Sequence, residues 1–314
     1  MKSMRRSLYI ILAGLLLVCA AYGQMPAAPD DAGEATPAQA QAAGSSQTAG
    51  TPPASEENVA ALAQARKDAQ NPIASVISLP LQENWNFGIG AADRTQNVFN
   101  IQPVFPLGIS KDWNVIMRFV TPIIYQPYAV PVEGPSGSPV LYQTGAYGLG
   151  DMQPQFYFSP KKHHTITWGA GPIFLVPTAT YHLLGFEKFG LGPTFVALAQ
   201  PKFGTIGVLV NNIWSVAGHS DRPNVNLFYL QPFLNYNLKH AWYLSLQTSG
   251  ITANWATHGP RWTVPIGGGP GRIWTIGHQA VNVQTFFFGN VVHPPKASPW
   301  EFRMAFTLLF PKPR

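Results

Sequence analysis

From Trp300 to Phe310 every second residue is large and apolar: Trp300, Phe302, Met304, Phe306, Leu308 and Phe310. The residues between them, Glu301, Arg303, Ala305, Thr307 and Leu309, are mostly charged, small or polar. Successive side chains of a strand point to opposite faces, so this run offers one greasy face and one largely hydrophilic face along its length. A soluble sheet can show the same pattern. An aromatic at the end of such a strand, in an exported chain, fits better with the closing strand of an outer-membrane β-barrel, where the greasy face meets lipid and the other face meets the lumen. On that reading Phe306, Leu308 and Phe310 are offered both to outer-membrane lipid and to the machinery that inserts barrels.

Composition separates the two ways of crossing a membrane. With 46% hydrophobic residues and a mean hydropathy of +0.02 the chain is too polar for a helical bundle, and beyond the N-terminus it has no run of about 18 apolar residues. Charged residues are only 11% of the chain, against roughly 25% in an ordinary soluble domain. Low charge without long greasy stretches is what alternating strands produce. Nine Trp, 11 Tyr, 19 Phe and 29 Gly suit a barrel wall with aromatic girdles. The net charge of +6 is spread along the chain and is no nucleic-acid footprint.

The N-terminus points to export. Lys2, Arg5 and Arg6 precede an apolar run from Leu8 to Ala21, and Ala21-Tyr22-Gly23 supplies small residues for cleavage before Gln24, so residues 1–23 read as a signal peptide. The apolar run falls short of the ~20 residues of a spanning helix. A lipoprotein site at Cys19 is disfavoured by the bulky Val18 before it. Cys19 is the only cysteine and leaves with the signal, which removes disulfides, zinc-thiolate sites and cysteine nucleophiles from the mature chain.

Residues 24–55 are Ala, Pro, Gly, Ser, Thr and Gln with almost no large apolar side chain, a composition expected to stay unordered. Residues 56–72 read as one short helix, acidic at its start and basic at its end as the macrodipole prefers, stopping at Asn71-Pro72. A solvated helix is favoured over a rim helix or a plug. Residues 73–314 then read as the barrel. Twelve strands are predicted, near 79–88, 96–106, 113–124, 150–159, 165–176, 189–199, 205–215, 225–236, 242–252, 261–268, 279–288 and 300–310. Each has about 20 residues for strand plus connection, against ~9–11 for a spanning strand.

The connections alternate in length, as an up-and-down barrel requires. Short ones fall at Leu107–Asp112, Pro160–His164, Pro201–Gly204 and Asn237–Ala241; longer ones include Pro127–Gly148, Thr178–Lys188 and Gly289–Pro299. The short set is basic, with Lys111, Lys161, Lys162, Lys202 and Lys239. Trp113 and Trp242 open strands at the short-turn side, and Trp214, Trp255, Trp262 and Trp300 lie near long-loop ends, as two interfacial girdles require. Trp85 and Trp168 fall inside strands. Prolines at 103, 122, 154, 172, 193, 232 and 265 fall within predicted strands, where a closed barrel has no edge to hide them, so bulges or shorter strands are expected. Three share a pattern: Ile101-Gln102-Pro103, Met152-Gln153-Pro154 and Leu230-Gln231-Pro232.

The stretches Asn71-Pro72-Ile73-Ala74-Ser75-Val76-Ile77-Ser78-Leu79-Pro80-Leu81-Gln82, Asn100-Ile101-Gln102-Pro103-Val104 and Gly148-Leu149-Gly150-Asp151-Met152-Gln153 carry a resemblance, as do Leu230-Gln231-Pro232-Phe233 and Leu308-Leu309-Phe310-Pro311-Lys312. From about residue 60 to 312 the chain resembles a group of Gram-negative outer-membrane transporters related to the phenol meta-degradation barrels, a group sometimes mislabelled neuromedin U. The resemblance implies a β-barrel and a transport role. It supplies no catalytic residues.

No enzyme motif is present: there is no Gly-rich phosphate loop, no His-Glu-x-x-His and no Gly-x-Ser-x-Gly. His163-His164 sit beside two lysines in a short turn and read as solvated, so no metal or other cofactor is implied. The polar face of the strands is where function is expected. Taking the apolar parity as lipid-facing turns inward Asn100 and Gln102; Arg118; Asp151, Gln153 and Gln155; Gln231 and Asn235; Gln247; Asn282 and Gln284; Glu301 and Arg303. Arg or Lys on the lipid face costs ~2–4 kcal/mol at the midplane, and turning inward avoids it. Arg118 and Asp151 are expected on neighbouring strands, in reach of a cross-strand pair. This interior, rich in Gln and Asn, suits passive passage of small uncharged polar or amphipathic solutes. The alternatives are a filled barrel acting as a lipid-modifying enzyme or a structural protein, and a soluble secreted β-domain that binds carbohydrate.

Overall fold

The computed structural model describes residues 56–133, 139–162, 165–277 and 279–310. The expected signal peptide (1–23) and linker (24–55), together with His163 and His164, lie outside the described residues. Among the described residues one helix, α1 (Glu56–Ala69), precedes fifteen strand segments. In chain order these are β1 (Ile77–Ile89), β2 (Arg94–Ile101), β3 (Val104–Gly108), β4 (Trp113–Glu133), β5 (Pro139–Leu149), β6 (Gln153–Pro160), β7 (Ile166–Leu175) and β8 (Lys188–Ala199). They continue as β9 (Gly204–Gly218), β10 (Asn226–Asn237), β11 (Trp242–Gln247), β12 (Ile251–Asn254), β13 (Trp262–Ile276), β14 (Gln279–Val292) and β15 (Trp300–Phe310).

Three pairs of segments are single wall strands with a break: β2 and β3 at Gln102-Pro103, β5 and β6 at Gly150–Met152, β11 and β12 at Thr248–Gly250. Twelve antiparallel wall strands result, and the sheet closes on itself. The closing seam runs from Ile77↔Phe310 to Phe87↔Trp300 between β1 and β15. Short connections gather at one end, here the turn end, and most longer ones at the other, the loop end. In β15 the alternation has the expected sense: Glu301, Arg303, Ala305, Thr307 and Leu309 are buried, while Trp300, Met304 and Phe306 are exposed.

Two spans differ from the sequence expectation. The stretch Pro127–Gly148 is not a loop but most of a hairpin, in which β4 and β5 pair from Ile123↔Leu149 to Glu133↔Pro139. β5 pairs with no other strand of the sheet. Pro127 and Pro131 look like loop residues in sequence, yet proline is tolerated where a strand stands apart from the closed wall. The second is β13, which continues through Gly267, Gly268, Gly269 and Gly271 to Ile276, where it pairs with Gln279 at the start of β14. That adds a short connection at the turn end.

Two of the seven prolines lie at irregularities, and Pro122, Pro154, Pro172, Pro193 and Pro232 keep a regular register. Pro103 lies in the break between β2 and β3, and Pro265 lies at a register shift between β13 and β14. Pro172 and Pro193 oppose each other across β7 and β8. A proline removes a donor but keeps its carbonyl, and several carbonyls are used: Phe119 N donates to Pro103 O at 3.1 Å, Gly150 N to Pro122 O at 2.9 Å and Thr248 N to Pro232 O at 3.4 Å.

The aromatic girdles form at both ends. At the turn end Trp113 meets Trp168 edge-on at 6.0 Å, so Trp168 belongs to a girdle even though it lies within β7. Arg272 lies over both Trp242 and Trp274, at 5.1 and 5.2 Å. At the loop end Trp300 stacks on Phe87 at 3.9 Å and on Phe287 at 5.4 Å, and Trp255 meets Trp262 at 5.3 Å.

Phe306→Asp puts a carboxylate on the outward row, at a cost on the order of 1–3 kcal/mol. It is expected to lower the folded, heat-modifiable fraction on a detergent gel sharply, as is Phe310→Asp. Thr307→Asp, on the inner face, is expected to do less, and equal losses at the two parities would contradict the face assignment.

Candidate functional site: the polar lumen

Inward residues of the neighbouring strands β15, β1 and β4 join Gln102, of the β2–β3 break, in a polar layer inside the barrel. On one side Gln102 Nε2 donates to Gln82 Oε1 at 3.4 Å and Gln82 Nε2 to Asn84 Oδ1 at 3.0 Å. Arg118 donates to Gln102 Oε1. Arg303 Nε donates to Asn84 Oδ1 at 2.7 Å and to Glu301 Oε1 at 3.1 Å, while its Nη2 reaches the same carboxylate at 2.8 Å. Both members of this ion pair are buried. A buried charge needs a partner and further hydrogen bonds to offset its lost hydration, and Arg303 has both. Its guanidinium also lies over the Phe288 ring at 5.0 Å.

Two cavities lie on either side of this layer. The smaller, ≈ 180 Å³, extends toward the turn end, and the larger, ≈ 430 Å³, toward the loop end. Gln82, Gln102, Arg118, Leu209, Gln231 and Arg303 line both. The sequence-predicted residues distribute around them. Asn235, Gln247 and Gln284 line the smaller cavity; Asn100, Gln153, Gln155 and Glu301 line the larger. The glutamine before each of the three Gln-Pro prolines therefore points into the lumen.

Two predicted residues lie elsewhere. Asn282 is buried under the Tyr243 hydroxyl, which donates to its Oδ1 at 2.7 Å; neither cavity reaches it. Asp151 lies near the loop end, where it accepts from Ala179 N at 3.2 Å and Phe186 N at 2.6 Å. It pins the connection between β7 and β8, whose carbonyls at His182 and Gly185 also accept from Arg222. Register places Arg118 opposite Gln155, not Asp151. The expected Arg118–Asp151 pair therefore does not form, because the break at Gly150–Met152 sets Asp151 beyond the layer.

One side of the lumen is filled. Tyr243 is fully buried and stands against Gly271, where a Cβ would run into its ring. At Gly267, Gly268 and Gly269 an added Cβ would instead meet backbone carbonyls of the neighbouring strands. Phe286 and Phe288 stack at 5.6 Å on the same inner face.

The segment after α1 lies at the turn end, where Gln70, Asn71 and Pro72 line the smaller cavity. The helix is docked, not solvated. Arg66 Nη1 donates to Leu238 O at 3.1 Å and Trp242 O at 3.4 Å, both at the β10–β11 turn. Gln200 Nε2 donates to Lys67 O at 2.8 Å. Buried Gln70 bridges two strands, accepting from Thr205 Oγ1 at 2.8 Å and donating to Asn237 Oδ1 at 3.1 Å. Pro72 cannot continue the helix, and Asn71 caps a tight turn by accepting from Ile73 N at 3.0 Å. That turn drives Ile73 into a cluster of inward side chains that includes Val104, Ile116, Tyr157, Val196 and Phe233. Burial pulls the Arg66 guanidinium below its ordinary value. Burial likewise pushes the Asp68 carboxyl up, against the opposing effects of its bond from Gln64 and the Lys67 charge. Asp68 and Asn71 line both the smaller lumen cavity and a ≈ 580 Å³ crevice among the turns.

Sequence parity missed Gln82, Asn84, Tyr229 and Tyr157, although the first two share the inward parity of β1 and the Gln-x-Asn spacing was a usable signal. The docking of Gln70 and Ile73 has no sequence signal beyond Asn71-Pro72.

Gly271→Val is expected to destabilise the barrel by ~1–3 kcal/mol through overpacking against Tyr243. Gly289→Ala, where an added Cβ meets nothing within 4 Å, is expected to stay near neutral. Urea midpoints of the refolded proteins give the comparison.

No family model and no curated sequence matches the chain. In shape it is similar to an outer-membrane channel from Pseudomonas putida F1, with a TM-score of 0.56 at 11% identity, covering 77% of this chain and 98% of that one. The NanC porin superposes with a TM-score of 0.46 at 10% identity, over 74% of this chain and 99% of that one. For the CymD monoaromatic hydrocarbon channel the values are 0.40 and 8%, over 75% and 88%. The first of these shows a shared fold.

Proposed function

We propose that the chain is an outer-membrane channel that passes small polar or amphipathic solutes through its lumen, with the segment from Gln70 to Ala74 as a stopper at the turn end. The observation that carries this reading is the pair of cavities stacked across one polar layer inside a closed sheet. An outer face with exposed Phe195, Ile206, Leu244, Leu246, Phe287 and Met304, between aromatic girdles, is what lipid requires. The fold shared with an outer-membrane channel and the sequence resemblance to outer-membrane transporter barrels support the same reading. The signal peptide at residues 1–23 belongs to it as the export device, and the barrel insertion machinery as the partner that reads the β15 row.

The filled side of the lumen around Tyr243, Asn282 and Phe288 favours a second reading, a rigid barrel whose interior is structural. Uptake by reconstituted vesicles separates the two. Proteoliposomes are expected to swell in small uncharged solutes, more slowly as solute size rises. The double change Arg66→Ala and Gln70→Ala, which removes the stopper's side-chain tethers, is expected to raise the rate several-fold with the heat-modifiable fold intact. Folded protein that admits no solute in either form would favour the filled barrel.

A further inference from the structure

Arg118 stands apart from the other charges of the lumen. It lines both cavities, yet among the described residues no carboxylate lies within salt-bridge distance of it. The ion pairs there are Arg303–Glu301, Arg222–Glu187 and His219–Asp221. The one carboxylate of the polar layer, Glu301, is taken by Arg303 through two hydrogen bonds. Arg118 donates instead to the neutral oxygen of Gln102. The layer therefore carries one uncompensated positive charge at the junction of the two cavities. A fixed charge in a narrow, poorly screened lumen gathers counter-ions.

The walls above Arg118 mix apolar and polar groups. Leu209 and Ile213 of β9 and Leu227 of β10 form an apolar strip on one side of the larger cavity, with Asn211 and Tyr229 beside it. Across the barrel Asn84 and Asn86 of β1 and Asn100 of β2 line it together with Val98 and Val120. At ≈ 430 Å³ the space is in the range of small-ligand sites, roughly 300–1,000 Å³. A planar guanidinium holds a carboxylate through two parallel hydrogen bonds. With one cation lacking a carboxylate partner among the described residues, the site matches a monoanion, not a dianion.

Resting on the channel reading, we propose that Arg118 is the carboxylate-binding residue of the lumen, and that the channel's substrates are small amphipathic monocarboxylates. The carboxylate lies on Arg118, and the apolar body lies against Leu209, Ile213 and Leu227.

Planar bilayers test this, with sodium benzoate as the probe and benzyl alcohol as its neutral counterpart. Wild-type channels are expected to prefer chloride over potassium in a salt gradient, and benzoate is expected to reduce the chloride current where benzyl alcohol does not. Arg118→Gln is expected to abolish the chloride preference and to weaken the benzoate block by about tenfold or more. Arg118→Lys keeps the charge, so it is expected to retain the preference while the block weakens; it also serves if the glutamine variant does not reach the heat-modifiable form. Equal block by the alcohol, or block unchanged in the folded variants, would overturn the assignment. Absence of conductance would sink the channel reading alone. Calorimetric titration of the detergent-solubilised protein then decides the site: benzoate binding lost in Arg118→Gln upholds it, and no binding to wild type overturns it.

Discussion

The closing seam between β1 and β15 is the constraint on which everything else depends. In hydrocarbon an unpaired backbone N–H or C=O costs several kcal/mol, and only closure gives a sheet no edge. Eleven registered positions from Ile77↔Phe310 to Phe87↔Trp300 complete the cylinder. Because closure fixes register, it also fixes which parity faces out. Phe302, Met304 and Phe306 then have no choice of side, and Glu301 and Arg303 must find partners inside.

The interior follows from that sorting. Polar side chains turned inward can either satisfy one another or face water, and this lumen does both. Tyr243 bonds Asn282 away from both cavities, and Glu301 is paired with Arg303, which also bonds Asn84. Gln102, Arg118, Gln231 and Asn235 border open volume. The stopper completes the picture at the turn end: Pro72 ends α1, and Ile73 is buried among inward residues of several strands. Apolar burial of one isoleucine supplies roughly 1.5–3 kcal/mol, while the tethers at Arg66 and Gln70 set where it is seated. A contact of that size can hold a segment in place and still release it.

Much of this was legible in sequence, for a physical reason. A wall strand exposed to lipid on one face and to polar groups on the other must alternate, so β15 could be read residue by residue, and the twelve wall strands could be counted. Parity failed where the lumen is filled by aromatics, because an inward Tyr243 or Phe288 looks the same in sequence as an outward Phe306. It also failed at breaks: the interruption at Gly150–Met152 took Asp151 away from Arg118 and gave it to the loop that follows β7. The stretch Pro127–Gly148, expected as a long connection, forms most of the β4–β5 hairpin instead, and its prolines are tolerated where strands extend beyond the closed wall. The docking of α1 depends on partners such as Leu238, Trp242 and Asn237, more than 160 residues away along the chain, which no local pattern encodes.

Whether the lumen holds water along its length is the question on which this account stands. The sole cysteine, Cys19, falls in the expected signal peptide, so a single introduced cysteine gives a clean probe. Asn86→Cys, Gln231→Cys and Asn235→Cys place a thiol above, within and below the polar layer; Phe99→Cys places one on the outer wall of β2. In folded protein in vesicles, a charged, membrane-impermeant thiol reagent is expected to label the three lumen positions and to leave residue 99 unmodified. Labelling of residue 99 with protection of residues 231 and 235 would contradict an aqueous path through this barrel.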